Sequence, residues 1–186
     1  RKNTLRLLQA FVLLRARRPE VQLVIAGGAS LLDHARYTRE FKAFAQASGI
    51  AIGPDAPLLL TGPLADADMP GLYRLADAVA MPSLNEGFGL VVLEALASGA
   101  PVVVSRIPPF TEYLEEGDCE WADPERAASI AEALERAVLH FDPARVARSA
   151  ARLALRFSWA ASAERHASLY RKGLAPARHA QAASAC

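Results

Sequence analysis

Apolar Leu5, Leu8 and Val12 recur at helical spacing behind Asn3, and the pattern stops in the basic stretch 15–19. This predicts a first helix over about 4–17, with Asn3 as its N-cap and cations placed at the negative end of its dipole. The run VQLVIAGG is nearly continuous, β-branched and closed by two glycines, as expected of a parallel strand buried on both faces. A helix over about 30–48 follows, then Gly49 and a proline-bearing loop. The alternation then repeats: LLLTG as a strand, DMPGLYRLAD as a helix with Pro70 in its first turn, and AVAMPS as a strand. FGLVVLEALASG follows as a helix closed by Gly99, and APVVVS as a further strand.

Strand and helix taking turns in this way predict an α/β fold with a Rossmann-like, doubly wound parallel sheet. After Ser105 come a turn-rich segment, PPFTEYLEEGD, and helices at about 124–140, 143–156 and 158–172, the last capped by Ser158. Residues 1–174 are expected to form one domain. From Ala175 onward the apolar pattern ends, and 175–186 reads as a disordered tail.

Composition narrows the function. With 186 residues, 52% hydrophobic and 22% charged, the chain suits one well-buried domain. A formal net charge of +1 gives no extended field for nucleic acid, so none is expected as a partner. Cys119 and Cys186 have no metal-ligand spacing and suit a reducing compartment. No apolar run reaches the roughly 18 residues that span a bilayer, and the expected location is cytoplasmic. The chain opens at a helix start without methionine, which reads as a cut edge.

The candidate chemistry lies in NEGFGLVVLEALASG. Ligands of open parallel sheets bind beyond the carboxyl ends of the strands, where helix N-termini present unpaired amides to anions. Gly87 and Gly89 therefore suggest a phosphate seat into which backbone can approach closely. Continued as a helix, the seven residues from Gly87 make nearly two turns and rise about 10 Å, which would set Glu94 on the same face, deeper along the axis. Carboxylates beside an anion make electrostatic sense if they face neutral hydroxyls. A nucleoside diphosphate sugar has that layout, with a sugar at one end, a diphosphate in the middle and ribose hydroxyls at the other end.

Blander readings stand beside these. Glu86 alone is a loop charge, Glu94 either occupies a solvent-facing stripe or needs a partner, Gly27 and Gly28 serve to turn the chain, and Lys2 alone is a surface cation. GFGLVV lacks the third glycine of a dinucleotide fingerprint, because Val92 stands there. The D-x-D at Asp66 and Asp68 precedes a helix, so Asp68 is better read as a cap than as a metal ligand.

The span from Glu86 to Glu94 resembles the E-x7-E motif of retaining glycosyltransferases of the GT-B fold, family 4, also called glycosyl transferases group 1. The order of RKN…LLQAF, LVIAGG, LLLTGPL…MPGLYRLADAVAMPS and RFSW…LYRKG is similar to that family's C-terminal, donor-binding domain. The resemblance implies transfer of a sugar from a UDP- or GDP-linked donor to an acceptor hydroxyl with retention, without a metal or other cofactor. Glu86, the candidate catalytic residue, would contact the donor sugar. Gly87 and the backbone of Phe88, Gly89 and Leu90, with Lys2, would hold the diphosphate. Glu94 would take the ribose hydroxyls, Gly28 would admit the nucleotide, and Pro63 and Leu64 would border the base.

The family's first strand, which ends in an arginine, and its acceptor-binding N-terminal domain are not found in this sequence. The resemblance therefore implies an open edge near the middle of the sheet and little transfer by the chain alone. It also leaves the acceptor unknown, and allows peripheral association with the inner face of a membrane through that other domain. The competing expectation is a non-catalytic nucleotide-binding module that acts with a partner chain.

Overall fold

A computed structural model of the chain describes residues 1–27 and 35–174. Gly28, the first residues of the expected second helix and the expected tail at 175–186 lie outside the described residues.

Helix α1 (Thr4–Arg17) leads to β1 (Leu23–Ala26), α2 (Ala35–Ala47), β2 (Leu58–Gly62), α3 (Met69–Leu75), β3 (Val79–Met81), α4 (Leu90–Ala97) and β4 (Val102–Ser105). A single helical turn α5 (Phe110–Tyr113) and a short β5 (Glu120–Ala122) precede α6 (Ala127–Leu139), α7 (Pro143–Phe157) and α8 (Trp159–Leu174). Every ladder is parallel, the expected hand of an alternating α/β chain. The strands form two sheets, ordered β1-β2 and β3-β4-β5. Among the described residues β4 is the one strand paired on both sides.

Helix α1 joins the two sheets through different stripes of its surface. Leu7, Ala10 and Leu14 pack with Val103 of β4, Ala122 of β5 and Ile130 of α6, while Leu8 and Phe11 pack with Phe41, Ala45 and Leu58. Full burial of a side chain such as Leu8, Phe41 or Leu58 contributes about 1.5–3 kcal/mol each. A third cluster joins Val92 and Leu96 of α4 to Val104, Phe110, Tyr113 and, on α7, Val146 and Leu153. Asp118 fastens α7 there, accepting hydrogen bonds from the Glu115 amide, Ser149 and Arg152.

Several local expectations are corrected. Asn3 precedes α1 in a left-handed conformation (φ 59°) and does not cap it with its side chain. Its Nδ2 instead donates to the Pro82 carbonyl (2.9 Å) and the Pro124 carbonyl (2.7 Å), tying the start of α1 to the segments after β3 and β5. Asp68 occupies the cap position of α3 but is already α-helical, so its carbonyl, not its carboxylate, meets the helix by accepting from the Leu72 amide. β1 is not buried on both faces: Val24 is 36% exposed, as befits a strand beside an unpaired edge. By contrast, all four residues of β4, paired on both sides, are buried. β5, between the turn-rich segment and the next expected helix, was unforeseen, because Glu-Trp-Ala is too short to show a period. Helix α6 starts later than expected, since Asp123 and Ser129 first form a hydrogen-bonded turn. Ser158 does cap α8, its Oγ accepting from the Ala161 amide at 3.1 Å.

Candidate functional site

The stretch after β3 carries the site. Pro82 and Ser83 are buried behind the strand end, residues 84–89 form a turn, and α4 begins at Leu90. Gly89 sits at the helix entrance with φ +85°, a conformation that glycine adopts without strain. A Cβ at this position would come within 2.9 Å of Phe110 Cζ and closer still to its Cε1. The physical demand on Gly89 is therefore left-handed backbone and room for a buried ring, a different reason from the anion approach expected of it. Gly87 carries no such constraint. Because residues 87–89 precede the helix, the rotation that was to set Glu94 above Gly87 does not apply; only Leu90 to Glu94 is helical.

Glu86 is gripped from four directions. Its Oε1 accepts from Arg1 Nη2 at 2.9 Å and from the Gly87 amide at 3.1 Å. Its Oε2 accepts from Lys2 Nζ at 2.6 Å and from Ser83 Oγ at 3.4 Å. The side chain is only 5% exposed. The acid assigned to neutral hydroxyls thus faces two cations. Lys2, expected to hold a diphosphate, is paired here with Glu86; Arg1 was missed, and its signal was adjacency to Lys2 at the same helix entrance. Two cations and one carboxylate leave a positive excess beside a helix start whose first amides, Leu90 and Val91, lack an intrahelical acceptor.

Burial alone would raise the pKa of Glu86, but the hydrogen bonds from Lys2, Arg1 and the Gly87 amide outweigh it and hold the carboxyl at about 2. A depressed folded value stabilises the fold above the unfolded value of 4.5, and that contribution is lost as pH falls from there towards 2. Wild type should accordingly lose more urea stability between pH 5 and pH 3 than Glu86→Gln does; equal slopes in that window would refute the pairing.

Glu94 lies on the exposed side of α4, opposite the buried Val92, Ala95 and Leu96. It is both solvent-facing and partnered: the Tyr73 hydroxyl donates to its Oε2 at 3.0 Å. Phe88 is held through its carbonyl, which accepts from Tyr113 Oη at 3.0 Å. Its ring stacks on Tyr113 and meets Phe157 edge-on, both with centroids 5.3 Å apart. Tyr73 and Tyr113, both buried, were not singled out from the sequence. Pro63 and Leu64 follow the carboxyl end of β2, just beyond Gly62, whose φ is +70°. They hang from the other sheet.

Residues 1–153 match the family described as glycosyl transferases group 1. The chain belongs to that family. Among relatives of this family, the D-inositol 3-phosphate glycosyltransferase of Corynebacterium kroppenstedtii is 35% identical over 168 residues, covering 89% of this chain and 36% of that protein. The chain therefore spans about a third of the relative it matches. Among solved structures, the sucrose-phosphate synthase of Thermosynechococcus elongatus has a TM-score of 0.73 at 27% identity, over 91% of this chain and 42% of that one. The C-terminal domain of a glycosyl transferase group 1 family protein from Francisella tularensis has a TM-score of 0.63 at 25% identity, over 80% of this chain and 74% of that one. The Rossmann-like C-terminal assignment agrees with these likenesses. No helix among the described residues is long and apolar enough to cross a membrane.

Proposed function

We propose that the chain is the donor-binding half of a retaining glycosyltransferase that moves a sugar from a nucleoside diphosphate sugar to an acceptor hydroxyl. The observation that carries this reading is the placement of Arg1, Lys2 and Glu86 at the entrance of α4, with Glu94 one turn into that helix. A diphosphate takes Lys2 and Arg1 in exchange for Glu86, and the first amides of α4 add their partial positive charge. Glu86, released from Lys2 and Arg1, can then accept from the hydroxyls of the donor sugar. Glu94 accepts from the ribose hydroxyls, and Pro63 and Leu64 border the base.

As the sugar departs, negative charge grows on the diphosphate. Groups already aimed at that charge lower the barrier without reorganising, and Lys2, Arg1 and the helix start are such groups. We assign no general base. The acceptor site, together with any membrane contact, belongs on this reading to the part of the relatives that the chain does not span.

Calorimetric titration of the chain with UDP, GDP and ADP sugars tests the proposal. One base series is expected to bind, with steady transfer undetectable from the chain alone. Absence of binding by all three series would overturn the donor-site reading, and sustained transfer would overturn the division of labour.

A further inference from the structure

We infer that Tyr73 is a positioning residue for nucleotide recognition: its hydroxyl fixes the Glu94 carboxylate in the orientation that reads a ribose diol. The inference rests on the proposed ribose role of Glu94 and adds a residue to that site. Tyr73 ends the apolar stripe of α3, where its ring is buried with Met81, Val92 and Leu96. Burial fixes the ring, and the hydroxyl emerges beside α4 to donate to Glu94 Oε2 at 3.0 Å. Among the described residues, Glu94 Oε1 has no donor, so one oxygen is anchored and the other is presented to solvent. Glutamate has three rotatable side-chain bonds, and an exposed glutamate surrenders their freedom when it binds. A hydrogen bond from an immobile donor removes part of that cost beforehand.

The chemistry of the donor suits the task. Burial first, then the hydrogen bond and the charge of Glu94, raise the pKa of the Tyr73 hydroxyl above its ordinary value, so it stays a donor across the working pH range. A diol needs two acceptor lone pairs set at a fixed angle, and a carboxylate free to spin presents them only part of the time. Anchoring should therefore act on ligands that carry the diol and leave ligands without it unaffected. A tyrosine hydroxyl that merely satisfies its own need for an acceptor would change stability and nothing else.

The test compares three ligands on wild type and Tyr73→Phe: UDP, 2′,3′-dideoxy-UDP and inorganic pyrophosphate, with GDP and its dideoxy analogue substituted if the chain prefers guanine. Wild type is expected to bind the ribonucleotide about tenfold or more tightly than the dideoxy analogue, the size of one charge-assisted hydrogen bond. Tyr73→Phe is expected to reduce that ratio several-fold while binding pyrophosphate as wild type does. An unchanged ratio in Tyr73→Phe would overturn the inference. A wild type indifferent to the diol would instead overturn the role of Glu94 itself, so the two failures are distinguishable. Should Tyr73→Phe fail to fold, the unmutated chain labelled with 3-fluorotyrosine gives the same answer. The Tyr73 fluorine resonance should shift with the ribonucleotide and stay still with pyrophosphate; a resonance that ignores both, or follows both equally, counts against the inference.

Discussion

Alanine at position 89 is expected to destabilise the chain by about 2–5 kcal/mol, from two additive causes. The first is local: φ of +85° costs a residue with a Cβ about 1–2 kcal/mol. The second is packing, because the added methyl would overlap the ring of Phe110, which is fully buried. Overpacking of this kind costs about 1–3 kcal/mol. Gly99→Ala is the control, since φ there is +89° but nothing lies within 4 Å of the new Cβ. Urea unfolding should show a large fall in midpoint for Gly89→Ala and a smaller one for Gly99→Ala. Matching midpoints for the two variants would mean that the Phe110 contact carries no weight.

Loss of the Lys2 amine should have the largest effect on ligand binding. Lys2→Ala is expected to weaken binding of the preferred nucleotide sugar about tenfold to a hundredfold, the range for a charge-assisted hydrogen bond with partial burial. Lys2 is 36% exposed and Arg1 is 65% exposed, so solvent screens Arg1 more and Arg1→Ala should cost less. Calorimetry with pyrophosphate and with the nucleotide sugar discriminates the mechanism. Both ligands should suffer equally from Lys2→Ala, since the proposed role of the amine is to hold the part they share. A variant that lost affinity for the sugar nucleotide alone would place Lys2 elsewhere.

What the sequence disclosed depended on how far each signal reached along the chain. Helix α1 was legible to the residue because Leu5, Leu8 and Val12 announce it locally and the basic stretch stops it. Strands β1 to β4 were legible as apolar runs, but the exposure of Val24 was not, because it depends on which strand lies beside β1. At the site, Gly89 was visible as a glycine, whereas its reason, the ring of Phe110, lies 21 residues later and across a strand. Glu86 was visible as an acid, yet its grip by Arg1 and Lys2 joins residues 84 and 85 positions apart. Tyr73 was hidden by its own helix: within MPGLYRL it reads as one more member of an apolar stripe, and its hydroxyl gains meaning only once α4 is packed alongside. Periodicity records what a residue buries; it is silent about a polar tip that reaches a different element.

The split between the two sheets has a mechanical corollary. Leu64 extends from one sheet and Glu86 from the other; α1 packs on both, and the hydrogen bonds of residues 1 and 3 fasten its start to the second. On the proposed reading, a ligand reaching from Leu64 to Glu86 would act as a rivet through two plates, and part of its affinity would go into holding them in alignment. Tightness of grip and stiffness of the molecule are then one quantity seen from two sides.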